Sequence, residues 1–175
     1  PSLDGHVSSP NGSNDLWIAR IDASGNFLSD VSLGGSNSDA GRSMEPTLDG
    51  GLIHSGGSRS TDGDVTGNHG MSDVWVVKTD ASGALVWQKS MGGSDNEMGL
   101  IAHEAADGGF FVVGDAASAD GDVASNQGLI DLWVVKLVGS SLEIGTSAPQ
   151  WFAMNPNPAH DRVHLTLNMG GTPHW

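Results

Sequence analysis

The sequence repeats with a period of 58 residues, and this constrains its fold more than any other feature. Asp15, Asp73 and Asp131 stand 58 apart, as do Trp17, Trp75 and Trp133, and Asp4, Asp62 and Asp120 upstream of them. Aligned without a gap, residues 15–58 and 73–116 share 15 identities in 44 positions. The turn sequence "DASG" at 22–25 returns at 80–83, "GGS" at 34–36 returns at 92–94, and "DGG" at 49–51 returns at 107–109. A period of this length marks an array of supersecondary units that bury their apolar faces against their own copies.

Each unit reads as four short strands separated by glycine-bearing turns: "DVWVVKTD" (73–80), "ALVWQKSMG" (84–92), "MGLIAHEAA" (98–106) and "FFVVGDA" (110–116). β-Branched and aromatic residues dominate these runs, and only 97–106 could compete as a short helix. In "VWVVK", Trp75 and Val77 point to one side while Val74 and Val76 point to the other; Phe110 and Val112 likewise oppose Phe111 and Val113. Both faces are apolar, so each sheet must be covered on both sides. The expected fold is all-β, with β-propeller-like blades of four antiparallel strands in 58-residue repeats. A β-sandwich is the alternative, but it predicts one polar face per strand. The chain divides into a closing loop (1–14), repeats at 15–72 and 73–130, a partial repeat (131–145), a linker (146–154) and a distinct tail (155–175). It starts at Pro1, which reads as a processed product or a fragment. Two full units cannot close a ring, so exposed strand edges would pair with further blades or with another chain.

Composition narrows the partners. Seven Lys and Arg stand against 21 Asp and Glu, for a net charge of −14. No basic patch exists for nucleic-acid phosphates, and anionic membrane surfaces are disfavoured too. No apolar run approaches the roughly 20 residues of a membrane span. With no cysteine there is no disulfide framework.

The acidic loop invites a metal reading. Asp62, Asp64, Thr66, Asn68 and Asp73 fall at positions 1, 3, 5, 7 and 12, with Gly67 at position 6. That is the spacing by which oxygen ligands converge on Ca²⁺. Asp120, Asp122, Asn126 and Asp131 repeat it, although Ala124 supplies no ligand, while in the copy at Asp4 the presence of His6 and Pro10 removes two ligands. The competing reading is an inter-blade connection braced by Asx-turns.

The pattern D-x-W-V-V-K-x-D-x-x-G, W-Q-K-x-x-G-G-S, D-G-G-[FY] resembles the β-propeller-type repeats of secreted and surface proteins of Bacteroidota. The second unit carries it through Trp75, Lys78, Asp80, Gly83, Trp87, Gln88, Lys89, Gly92, Gly93 and Ser94; the first departs at Ser29–Val31. In the tail, "FAMNPNPAHDRVHLTL" (152–167) resembles the start of a type IX secretion C-terminal sorting domain. Pro156, Asn157, Pro158 and Ala159 carry that motif, followed by the alternation of Val163, Leu165 and Leu167. The tyrosine usual before the first proline is Asn155 here, and the family's domain continues for several strands beyond the length seen. The resemblance implies export to the outer cell surface by the type IX machinery.

Catalytic patterns are sparse. There is no G-x-S-x-G and no phosphate-cradling loop, and "HEAAD" (103–107) lacks the second histidine of a zinc helix. His103 and Glu104 read as a blade-edge pair on opposite faces of a strand. Trp17, Trp75 and Trp133 read as core, while Trp87, replaced by Ser29 in the first unit, is the candidate platform for a glycan. The sequence points to a secreted or surface module that binds, adheres or builds, calcium-stabilised at its loops. The alternative is a non-catalytic part of a larger secreted hydrolase.

Overall fold

The computed structural model describes residue 7 and residues 11–138. The end of the partial repeat (139–145), the linker, and the tail with its sorting motif at Pro156–Ala159 lie outside the described residues, as does the loop copy at Asp4. Among those described there are nine strands and no helix: β1 (Leu16–Ile21), β2 (Phe27–Leu33), β3 (Asp39–Pro46), β4 (Leu52–Ser58), β5 (Asp73–Thr79), β6 (Leu85–Met91), β7 (Glu97–Glu104), β8 (Phe110–Ala116) and β9 (Asp131–Leu137). The segment that could have competed as a helix is β7. Among the described residues no helix is long and apolar enough to cross a membrane.

Turn chemistry explains the hairpins. Gly25 and Gly83 adopt φ values of 84° and 93°, a region closed to most side chains. The Asp80 carboxylate accepts the N–H groups of Ser82 (2.8 Å) and Ala84 (3.0 Å), closing the β5–β6 turn as an Asx cap. Asp22 closes β1–β2 in the same way through Ser24 and Asn26.

Hydrogen bonding groups the strands into three antiparallel sheets: β1–β2, then β3–β4–β5–β6, then β7–β8–β9. The four strands from 73 to 116 expected to share one unit are split between two of these sheets. The central sheet instead joins the last two strands of one repeat to the first two of the next. A periodic sequence has no marked starting point, and the short β6–β7 connection looks like a hairpin turn. It does not act as one, because its backbone groups bond to the acidic loops, as described below. The long connection 59–72 returns the chain so that β5 pairs with β4, from Leu52↔Thr79 to Ser58↔Asp73. Among the described residues no sheet closes on itself.

Apolar cores lie on both sides of the central sheet. Trp75 and Val77 pack with Leu16, Ile18, Leu33 and Val65. Val74 and Val76 pack with Ala102, Phe110, Val112, Val135 and Leu137. Every residue of β5 is buried, as two apolar faces require. Burying each large side chain contributes about 1.5–3 kcal/mol relative to exposure. The three equivalent tryptophans differ, however. Trp75 is 1% exposed and Trp17 45%, while Trp133 is partly buried. Trp17 is left largely in solvent on β1, which corrects its assignment to the core. Trp87 is corrected the other way: it is partly buried and meets Phe110 edge to face, with ring centroids 5.4 Å apart.

Candidate functional site at the sheet junctions

The acidic loops converge on the connections between sheets. Two such junctions, 34–38 and 92–96, occupy equivalent places in the repeat. At the first, Asp62 Oδ1 accepts the Ser36 N–H (2.7 Å) and Asp64 Oδ2 accepts the Gly34 N–H (3.1 Å), while the Asp64 N–H donates to the Gly34 carbonyl (2.9 Å). At the second, Asp120 accepts from Ser94 (2.8 Å), Asp122 from Gly92 (3.2 Å), and the Asp122 N–H donates to the Gly92 carbonyl (2.9 Å). The opposite end of loop 59–72 reaches the second junction: Met71 and Ser72 donate to the Asp95 carbonyl, and Glu97 N–H donates to Ser72 (2.6 Å). Each loop lies within one sheet, between its second and third strands, rather than between blades. Loop 59–72 staples its sheet to the junctions on either side, and loop 117–130 staples its own to 92–96.

The charges follow this bonding. The Ser36 backbone N–H, then its hydroxyl, hold Asp62 below its ordinary pKa; Ser94 does the same for Asp120. These carboxylates are set as acceptors for backbone donors, which favour the ionised form.

A second carboxylate layer lies beneath them, and its key member was not singled out by sequence. Asp39 and Glu97, 58 apart, are 0% and 1% exposed. Asp39 accepts from Gly35 N–H (2.7 Å), from the Ser60 hydroxyl (2.8 Å) and from the Ser58 hydroxyl. Glu97 accepts from the N–H groups of Gly93 (2.8 Å), Ala117 (3.2 Å) and Ser118 (2.9 Å). The available signal was a carboxylate kept four residues after "GG" in both units, hidden because Asp and Glu do not count as identical.

Asp73 completes the second junction. Its Oδ2 accepts the backbone N–H of His69 (3.0 Å) and meets His69 Nδ1 (2.7 Å), while its Oδ1 is buried without a hydrogen-bond partner. Burial pushes the Asp73 carboxyl up; His69 opposes this, and the Glu97 charge adds to it. His69 Nδ1 also lies 4.0 Å from Asp122 Oδ2. Gly92 explains why no side chain intrudes: a methyl there would stand 2.5 Å from Glu97 Oε2 and 2.8 Å from Asp73 Oδ1. At the first junction a methyl on Gly34 would meet Asp15 Oδ1 at 2.5 Å and Asp39 Oδ2 at 2.8 Å, and Asp15 Oδ1 likewise lacks a partner.

The residues placed at calcium-loop spacing go to separate partners. Thr66 Oγ1 accepts from Gln88 (2.6 Å), and Asn68 spans from the Ser58 carbonyl (2.9 Å) to the Gly70 N–H (3.0 Å). Asn126 repeats this between Ala116 (3.1 Å) and Gly128 (2.8 Å), and Asp131 accepts from Gln127 N–H (2.5 Å). Among the described residues no three His, Cys, Asp or Glu side chains gather closely enough to hold a metal. Asp62, Asp64, Asp120 and Asp122 face backbone N–H groups of the junctions, whereas Asp73 and Asp131 accept from His69 and Gln127 within their own loops.

His103 and Glu104 also serve the stacking of sheets. His103 Nδ1 pairs with Glu45 of β3 (2.6 Å), and Glu104 accepts the Leu48 N–H (2.7 Å) from the β3–β4 turn. They share no partner, as their opposite faces require. No protein-family model matches this chain, and no curated protein is significantly similar to it.

Proposed function

We propose that the chain is part of a secreted or cell-surface scaffold of β-propeller type, with a binding, adhesive or structural role rather than a catalytic one. The observation that carries this reading is where the repeated carboxylates end. Asp62, Asp64, Asp120 and Asp122, the most conspicuous polar residues of the sequence, accept backbone N–H groups of the junctions. Their chemistry is spent on holding one sheet to the next, as a stacked repeat demands. A surface polymer or glycan is the partner class that suits an acidic module with partly exposed tryptophans, and the tail motif at Pro156–Ala159 supports delivery by the type IX machinery.

The reading is tested with the full chain on two axes. Binding to immobilised surface polysaccharides is expected without turnover of ester, peptide or glycoside substrates; reproducible turnover that survives repurification would overturn it. Replacing residues 155–159 in the producing cell is expected to retain the protein in the periplasm, and unchanged surface delivery would remove the export half of the proposal.

A further inference from the structure

A groove of about 480 Å³ runs along the outer edge of β1, between Leu16–Ala19 on one side and Ala40–Met44 of β3 on the other. Among the described residues β1 pairs only with β2. Its repeat counterpart, β5, carries β4 on that same edge. We propose that this groove is a docking site for a β-hairpin of the chain's own repeat type, with the chemistry of Asp39–Ser58, which adds to β1 as β4 adds to β5. The proposal rests on the scaffold reading and deepens it by naming the partner.

Three observations converge on that occupant. Shifted by 58 residues, the β4–β5 register sets the incoming strand opposite Asp15–Ile21, with its two glycines facing Leu16 and Trp17, as Gly57 and Gly56 face Val74 and Trp75. Second, β7 carries Gly99 where a methyl would strike Ser55 Oγ and stand 2.9 Å from the Gly56 carbonyl of β4. Among the described residues, the equivalent Gly41 of β3 meets only the Leu16 side chain at that point, and no described strand takes the place that Ser55 and Gly56 fill beside Gly99. Third, Trp17 is 45% exposed, whereas its counterpart Trp75 is 1% exposed with Gly56 of β4 opposite it on the edge as well as Leu16, Ile18 and Val65 packed on its face. Main-chain pairing along an open edge supplies the affinity, and small residues at the close approach supply the selectivity.

The test uses the intact chain and a fluorescent peptide copying residues 39–58. Saturable one-to-one binding is expected, with slowed amide exchange across Leu16–Ile21 and a blue shift of Trp17 emission. Gly41→Val should weaken binding by about tenfold or more, the equivalent of one lost hydrogen bond with its contacts. A peptide N-methylated at both Ser55 and Gly56 should lose a similar factor, and it settles the matter should the Gly41 variant fail to fold. Absence of saturable binding would overturn the proposal. So would binding indifferent to both changes, or β1 amides already protected in a dimer of the chain alone. None of these failures touches the scaffold reading, which is decided by turnover and surface delivery.

Discussion

β1 and β5 have nearly the same sequence pattern and opposite fates. "DLWIARID" and "DVWVVKTD" share the aspartate, the tryptophan and the closing turn, yet β5 is wholly buried while β1 leaves Trp17 and Ile21 in solvent. Even the indole bonds match: Trp17 Nε1 donates to Asp30 and Trp75 Nε1 to Gln88, each at 2.9 Å. Local sequence makes the hairpin in both cases. Burial comes from what lies beside it, which is β4 on the edge and a sheet on each face for β5. In an array of repeats, stability at a given residue belongs to neighbour interfaces as much as to the repeat itself.

That contrast can be broken most directly at the two tryptophans. Trp75→Ala should cost about 3–5 kcal/mol, the range for removing a large aromatic from a packed core. Trp17→Ala should cost well under half of that. Chemical denaturation of the full chain reads both, and equal losses would mean that β1 is covered in solution.

Acidity should expose the central sheet next. Burial, and then the Lys78 charge, hold His54 down to about 4. The unfolded chain takes up a proton near the ordinary value of about 6.5, before the folded form does, so this group lowers stability as pH falls from about 6.5 towards 4. His54→Val, copying Val112 of the next unit, should remove that loss, worth on the order of 2–3 kcal/mol at the acid end. Asp73 works in the opposite sense. Its folded pKa lies above the unfolded one. Stability from this group is therefore gained as pH falls through the folded value, and its penalty is fully present above it. Asp73→Asn supplies a donor towards Glu97 without the charge. It should raise stability at pH 7 by about 1 kcal/mol and abolish the acid gain. Melting curves between pH 7 and 4 for the two variants separate these contributions.

The staples give a smaller and local effect. Removing both Asp62 and Asp64 as alanines should lower the melting temperature less than Trp75→Ala does, and should speed amide exchange at Gly34 and Ser36 while leaving Gly92 and Ser94 protected. Spread of the exchange to both junctions would mean that the sheets unfold as one unit. Calcium should do least: with the loop carboxylates bonded to separate partners, the melting temperature should match in millimolar calcium and in chelator. A calcium-dependent rise that Asp64→Ala removes would restore a metal site at that loop.

Much of the fold was legible in the residues. Strand type, strand ends and turns followed from β-branched runs, from "DASG" and "DGG", and from glycines at positive φ, all of which are local steric effects. The need to cover both faces of β5 followed from Val74 to Val77 alternating with no polar face. The partition into sheets was not legible, because a period of 58 fixes spacing without phase, and the choice between turning at 92–96 or at 59–72 depends on long-range backbone bonds. The acidic loops show the same division. Spacing marked Asp62, Asp64, Asp120 and Asp122 as candidate calcium ligands, but the same oxygens suit a cation or a row of N–H groups. Only tertiary structure brought Gly34, Ser36, Gly92 and Ser94 to them, and only it buried Asp39 and Glu97 beneath, since desolvation and hydrogen-bond geometry are properties of neighbours that no single stretch of chain contains.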